Sequence, residues 1–309
     1  MGRVIKPLTE MGVSIVGRNG NKNLPITVIG NLQATSYKLQ AITYKMPVAS
    51  AQVKSAIILA ALYAENPTTI IEPAPSRDHT EKMLASFGVQ IEKVDNAIKL
   101  FPAENLTAPE KIIVPNDISS AAYWIVLAAV TKNSAVTIKN VGVNQTRTGI
   151  LDVLKSMGAN IELENIHESG GELSADIKVT SSNLRGVEIG GTIIPRLIDE
   201  VPALAVAAAF AEGTTIIHDV GELRVKESDR LNAIVNEFNK ISRGSFEATA
   251  TDLIVHGGRE KFFAECKTYA DHRIAMALSI FGAAANGVEI DDADCVKISY
   301  PNFFEELKW

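Results

Sequence analysis

Four stretches of this chain share one pattern: a polar turn, an alanine-rich run that is apolar on nearly every side, and a short β-branched tail. They read SAQVKSAIILAALYAENPTTII from Ser50, SSAAYWIVLAAVTKNSAVTI from Ser119, DEVPALAVAAAFAEGTTII from Asp199 and DHRIAMALSIFGAAANGVEI from Asp271. A run without a polar face predicts a helix packed inside the protein, and the β-branched tail predicts a strand. A second pattern alternates with the first. It is an amphipathic helix that ends at a glycine and leads into a strand: RVIKPLTEMGVSIVG from Arg3, SRDHTEKMLASFGVQIEKV from Ser76, TRTGILDVLKSMGANIEL from Thr146 and ESDRLNAIVNEF from Glu227. Leu84 with Phe87, and Leu151 with Leu154, give the three-residue spacing of a buried stripe. Gly12, Gly88 and Gly158 stand where helix C-caps belong, and SYPNFFEEL from Ser299 reads as a shorter copy.

The first pattern starts about every 70 to 80 residues, the length of a whole supersecondary unit rather than of a short solenoid repeat. Buried helices require strands in the outer layer, with the amphipathic helices inside or partly exposed. In order, the parts amount to four complete units after an orphan half. The expectation is therefore a chain that starts in mid-repeat and lacks an N-terminal part, Met1 being an internal methionine of a longer frame. The proline-bounded NLTAPEKIIVP from Asn105 interrupts the pattern, and a domain boundary is expected near residue 113.

At 309 residues, 46% hydrophobic and 21% charged, the chain has material for two ordinary globular domains. Its net charge of -6 argues against nucleic acid or an anionic membrane as the main partner. Cys266 and Cys295 lie far apart with no CxxC spacing, and two isolated thiols fit a reducing cytoplasm. The longest uncharged run, Ile274 to Val288, is short of the roughly 18 to 20 residues a membrane span needs. No signal-peptide layout opens the chain, so a cytoplasmic location is expected.

The densest charge cluster is GELRVKESDRL, from Gly221 to Leu231, directly after the strand pattern Thr214 to Ile217. If Lys226 opens a helix, then Lys226, Glu227 and Arg230 share one face. Two cations and a carboxylate at a helix N-terminus would seat a phosphorylated or carboxylated substrate. A solvated helix start with intrahelical ion pairs accounts equally for the cluster taken alone. The alanine-rich helices also begin at polar clusters: Ser50 with Gln52 and Lys54, Asp117 with Ser119 and Ser120, Asp199 with Glu200, Asp271 with His272 and Arg273. Capping explains a Ser or Asp at such places, Asp117 above all, and SRDHTE reads as a Ser76 cap with Arg77 and Asp78 exposed. Capping does not explain cations in a first turn, where the helix dipole disfavours His272 and Arg273 unless an anion is bound. Asp199 and Glu200 supply either a general base or a cap plus a surface charge. The five histidines lack metal-site spacing, and no GxGxxG or P-loop is present, so neither a metal nor a nucleotide is expected. A repeat-built binding protein without catalysis stays open.

LPITVIG at 24 to 30, PVASAQVKSA from Pro47, SRDHTEKML, DISSAA from Asp117, TRTGILDVLKSMGA, LIDEVPALAVAAAFAEGTT from Leu197, ELRVKESDR, DHRIAMA and SYPNFF run in order along the chain. In these segments the chain resembles the 5-enolpyruvylshikimate-3-phosphate synthase family. The resemblance implies an α/β protein with a two-domain enolpyruvyl transferase fold. Each domain would be built from repeated βαβαββ units around buried helices whose N-termini point to a cleft. Residues 1–113 would be what remains of one domain and 114–309 most of the other. The implied reaction moves the enolpyruvyl group of phosphoenolpyruvate onto the 5-hydroxyl of shikimate 3-phosphate, releasing phosphate through a tetrahedral addition intermediate, without metal or organic cofactor.

Carried over by position, Ser50, Ala51 through its backbone, Gln52 and Ser76 resemble the contacts for shikimate 3-phosphate. Asp199 resembles the base on the 5-hydroxyl, and Lys226 its cationic neighbour on the shikimate hydroxyls. Glu227 resembles the acid at the enolpyruvyl methylene, with Arg230, Arg273 and Gln52 on phosphoenolpyruvate and His272 assisting. The resemblance implies a monomer whose partners are these two small molecules. Ile298 stands where some members have lysine, Lys297 is one place off, and Glu222 occupies a position that is Asn in some. The family's N-terminal Lys-Ser, arginine and glycine-rich segment have no counterpart here, and little or no synthase activity is expected of the chain alone. The other readings are UDP-N-acetylglucosamine enolpyruvyltransferase and a non-catalytic binding remnant. SRDHTE, RVKESDR and His272 follow the shikimate branch.

Overall fold

The repeated unit is visible as geometry. In the computed structural model, which describes residues 1–21, 23–29 and 38–308, the chain opens with α1 (Gly2–Glu10) and the antiparallel pair β1 (Ser14–Gly17) and β2 (Asn23–Ile29). There follow β3 (Thr43–Lys45), α2 (Ala51–Ala61), β4 (Thr68–Ile71), α3 (His79–Ser86), β5 (Ile91–Val94) and β6 (Ala97–Leu100). The sheet order is β3-β4-β6-β5, with β3 parallel to β4 and the rest antiparallel. The parallel pair is bridged by the apolar α2, whose Val53, Ile57, Ile58 and Ala61 are buried. The antiparallel pair is bridged by the amphipathic α3 and a tight turn.

The same βαβαββ order recurs later. Asn116 bridges to Val141, and α4 (Ile118–Val130), β7 (Ala135–Gly142), α5 (Gly149–Ser156), β8 (Asn160–Ser169) and β9 (Glu172–Thr180) follow, with sheet order β7-β9-β8. Next come β10 (Glu188–Ile189), α6 (Val201–Phe210), β11 (Thr214–Ile217), α7 (Arg230–Ala233), β12 (Phe246–Ala248) and β13 (Leu253–His256). Their sheet order β10-β11-β13-β12 repeats the arrangement of the first sheet, one parallel pair and then antiparallel neighbours. Finally β14 (Ala264–Cys266), α8 (His272–Ala284), β15 (Val288–Ile290) and the short α9 (Phe303–Glu306) close the described chain.

The chain divides into two compact units, Met1–Val114 with Glu168–Glu172, and Pro115–His167 with Leu173–Trp309. In the first, α1 packs on α2 over a core that includes Met11, Tyr44, Ile57 and Ile70. In the second, the alanine-rich α4, α6 and α8 all pack on one another, and nine consecutive residues of α6, Val201 to Ala209, are buried. Alanine allows this because helix axes can approach closely when no large side chain stands between them. Gly12, Gly88 and Gly158 adopt φ of 94°, 87° and 95°, the left-handed cap that their places after α1, α3 and α5 require.

Two expectations fail locally. The segment ESDRLNAIVNEF is not one regular helix: α7 passes into a π turn at Ile234–Phe238 and a last turn at Asn239–Ile241. Lys226 does not open it either. Gly221–Val225 form a 3-10 turn, Lys226 leaves it in extended backbone, and the helix starts at Arg230 because Asp229 caps it by accepting the Asn232 N–H at 3.0 Å.

Candidate active site

In the second unit the starts of the three alanine-rich helices are tied together by side chains. Asp117 caps α4 by accepting the Ser119 N–H at 3.0 Å, and Asp271 caps α8 by accepting the Arg273 N–H at 2.9 Å. Capping was the expected use of Asp117, but Asp271 does more. It is fully buried, and its carboxylate also receives Arg230 Nε at 2.8 Å and Ser228 Oγ at 2.9 Å. Ser119 Oγ donates to Glu200 Oε1 at 2.5 Å, joining the first turn of α4 to the residue before α6. Arg273 Nη1 donates to the Asp199 carbonyl at 3.1 Å and stands 3.9 Å from Glu200 Oε1, joining α8 to the same place.

Asp199 and Glu200 are neighbours with different surroundings. Glu200 is 1% exposed, which removes the reading of it as a surface charge. Burial raises its carboxyl above the usual range, against the opposing pull of Arg147, Ser119 and Arg273. Asp199 keeps 16% of its side chain exposed, with Lys226 Nζ 3.7 Å and Arg230 Nη1 3.8 Å from Oδ1. Neither carboxylate caps α6 through its side chain.

Lys226, Glu227 and Arg230 do converge, though not through one helix. Arg230 is 1% exposed and lies between Asp271, Asp199 and Glu227, whose Oε2 it reaches at 2.5 Å. The solvated-pair reading therefore fails for Arg230 and holds only for the outer half of Glu227, 54% exposed. Lys226 also pairs with Glu222 at 2.5 Å. For Asp271, burial pushes the carboxyl up, but the bonds from Arg230, Ser228 and the Arg273 amide outweigh it and leave it below the ordinary value. Burial and the adjacent Arg273 lower His272 below its ordinary 6.5. The dipole argument for His272 and Arg273 is thus met partly from within, by Glu200 and Asp271. Lys297 lies apart from this group as an exposed pair with Asp294.

Arg147 is not among the candidate site residues of the sequence, where it falls inside the repeated amphipathic segment from Thr146. Its Nη2 donates to Ser119 Oγ at 2.5 Å and stands 3.7 Å from Glu200 Oε1. The usable signal was its place in the repeat, aligned with Arg77 of SRDH.

In the first unit, Ser50 caps α2, accepting the Val53 N–H at 3.5 Å, with Ala51 and Gln52 opening the helix. Gln52 Oε1 accepts Arg3 Nη2 at 2.9 Å. Ser76 does not cap α3, because Asp78 occupies the position before that helix. Ser76 Oγ instead donates to Glu72 Oε1. The fully buried Lys54 organises this corner: its Nζ lies 3.1 Å from Glu72, 2.8 Å from Glu81 and 3.3 Å from the Ser76 carbonyl. The first turn of α2 and Ser76 are thereby held side by side.

Among the described residues, no group of three or more His, Cys, Asp or Glu is arranged to hold a metal ion, and no helix is long and apolar enough to cross a membrane.

The sequence pattern of EPSP synthase (3-phosphoshikimate 1-carboxyvinyltransferase) matches residues 1–307. The chain is 53% identical over 306 residues to the 3-phosphoshikimate 1-carboxyvinyltransferase of Thermoanaerobacter sp. (strain X514), covering 99% of this chain and 70% of that protein. It is 48% identical over 309 residues to the protein of the same name from Desulforamulus reducens, covering 100% of this chain and 70% of that one. Among solved structures, EPSP synthase from Acinetobacter baumannii superposes with a TM-score of 0.90 at 40% identity, over 99% of this chain and 69% of that chain. The enolpyruvyl transferase NikO from Streptomyces tendae, at 17% identity and a TM-score of 0.77 over 99% of this chain and 70% of that one, shares the fold.

Proposed function

The chain belongs to the EPSP synthase (3-phosphoshikimate 1-carboxyvinyltransferase) family, and we propose that its residues divide the work of that family's reaction in the way set out below. The reaction transfers the enolpyruvyl group of phosphoenolpyruvate to the 5-hydroxyl of shikimate 3-phosphate and releases phosphate. In the first unit, the Ser50 cap, the Ala51 backbone amide and Gln52 at the start of α2, and Ser76 are the contacts for shikimate 3-phosphate. In the second unit, Asp199 accepts the 5-hydroxyl proton as that oxygen bonds to the enol carbon, with Lys226 beside it on the shikimate hydroxyls.

Glu227 delivers a proton to the methylene carbon and takes one back as phosphate leaves, which restores the double bond. Arg230 and Arg273 receive the charges of phosphoenolpyruvate, and His272 assists beside Arg273. One observation carries this reading: Lys226 Nζ and Arg230 Nη1 stand 3.7 and 3.8 Å from the carboxylate of the partly exposed Asp199, and Arg273 Nη1 donates to the Asp199 backbone carbonyl at 3.1 Å. Two cations at the carboxylate and a third at the carbonyl of the same residue stabilise negative charge where a deprotonated hydroxyl and a phosphate would meet.

The names carried by relatives at 53% and 48% identity favour the shikimate substrate over UDP-N-acetylglucosamine. A monomer in the cytoplasm agrees with that reading. Titration calorimetry with shikimate 3-phosphate, followed by phosphoenolpyruvate in its presence, tests the assignment. Heat from the first ligand, abolished by Ser76→Ala with Gln52→Ala, is the expected result. No uptake of shikimate 3-phosphate alongside uptake of UDP-N-acetylglucosamine would overturn it. Phosphate release from the two substrates measures in the same preparation whether bound ligands react.

A further inference from the structure

The π turn of the second unit carries a carboxylate that the reaction does not use. Glu237 is 2% exposed, and each of its oxygens is engaged by the segment between β14 and α8 or by its own helix. Oε1 accepts Tyr269 Oη at 2.9 Å, and Oε2 accepts the Lys267 N–H at 2.8 Å and Lys240 Nζ at 2.6 Å. The segment it grips is an unusual one. Tyr269 and Ala270 adopt φ of 55° and 52°, two consecutive left-handed residues, neither of them glycine. Such backbone costs on the order of 1 to 3 kcal/mol per residue and persists only where surrounding contacts hold it. Asp271, His272 and Arg273 come directly after it.

A π turn inserts one residue into a helix, so the face that follows is rotated relative to the one before it. Here the element that begins with Arg230 makes two connections to the approach to α8. Arg230 bonds to Asp271 at the start, and Glu237 bonds to Lys267 and Tyr269 two turns further on. Thr268, between them, is held from a third side by Asp291, which accepts its N–H at 2.8 Å and its hydroxyl at 2.9 Å. The segment is thus gripped on both sides of its left-handed pair.

We propose that Glu237 is a positioning residue for anion binding: through Tyr269 Oη and the Lys267 amide it fixes the left-handed turn that presents Arg273. It touches no substrate itself. The proposal rests on the reading that Arg273 receives phosphoenolpyruvate, and the test separates the two.

Tyr269→Phe removes one of these bonds and leaves the carboxylate buried among its other donors. Glu237→Gln keeps an acceptor for Tyr269 but turns an N–H toward the Lys267 amide. Both variants of the full chain are compared with the parent by thermal melting, by amide exchange over Lys267–Arg273, and by titration calorimetry with shikimate 3-phosphate and then phosphoenolpyruvate. The expected result is exchange faster by about tenfold and phosphoenolpyruvate bound about tenfold more weakly, with shikimate 3-phosphate affinity within about twofold of the parent. Unchanged exchange in both variants overturns the proposal. So does faster exchange with phosphoenolpyruvate affinity intact, or an equal loss of both affinities that tracks the fall in melting temperature. A parent chain that binds shikimate 3-phosphate but never phosphoenolpyruvate overturns the reading of Arg273 instead. In that case the exchange result alone decides whether Glu237 holds the turn.

Discussion

Arg230 Nε meets Asp271 Oδ2 at 2.8 Å with both side chains withdrawn from solvent, the arginine at 1% and the aspartate at 0% exposure. A buried pair of this kind adds little over a well-packed apolar pair, yet removing one member strands the other. Arg230→Met is expected to destabilise the chain by about 3 to 5 kcal/mol, read as a fall in urea midpoint. Adding Asp271→Asn to that variant is expected to recover a good part of the loss, because the remaining partners of Arg230, Asp199 and Glu227, are partly exposed and only Asp271 would be stranded as a fully buried charge.

Two histidines pull the pH dependence in opposite directions. Burial and Arg273 depress His272, so on acidification through about 6.5 the unfolded chain takes up a proton that the folded chain refuses, and stability falls with pH in that window. His218 is raised, chiefly by its bond to Glu188, so its contribution is complete below the unfolded value and disappears as pH rises through the folded one. Melting temperatures between about pH 5 and pH 8 are expected to flatten on the acid side in His272→Gln. In His218→Gln the acid side is expected to steepen, since the compensating gain is gone.

How much of this was legible in the sequence depends on what each residue does for the local chain. The repeat was legible because Val201 to Ala209, or Ile274 to Gly282, are buried on every side and so are almost wholly apolar, in runs shorter than a membrane span needs. The convergence of Lys226, Glu227 and Arg230 was legible as a charge cluster, but its geometry was not. Ser228 and Asp229 both favour caps, but the segment alone does not say which position opens the helix or that Gly221–Val225 form a 3-10 turn. Ser119 has as its partner a carboxylate 81 residues away, Glu200, brought in by another element of the fold, and spacing within one segment carries no information about it. The partner of Ser76, Glu72, is local, four residues earlier, but the pairing depends on the buried Lys54 that holds both.

The two thiols are predicted to be poor nucleophiles at neutral pH. Burial, with Glu237 nearby, pushes Cys266 up to about 11, and its side chain is 4% exposed. Treatment of the folded chain with a thiol reagent at pH 7.5 should leave Cys266 unmodified by mass spectrometry, while unfolding in urea should open it to complete labelling.

Gly257 is needed for space. A Cβ at that position would stand 2.1 Å from the Ala211 carbonyl oxygen, which is backbone and cannot move aside alone. Gly257→Ala is expected to cost about 1 to 3 kcal/mol, visible as a lower melting temperature. Gly213→Ala is no neutral control, since its φ of 89° is itself a glycine conformation.

The packing of α4, α6 and α8 on one another has a consequence for their starts. Fully buried alanines such as Ala205 and Ala277 lie one to two turns from the ends that carry Glu200 and Arg273. Thickening any of them would spread the tips like the blades of opened shears, and with them the guanidinium groups. The calibre of the proposed anion seat would thus be written in the least reactive residues of the protein.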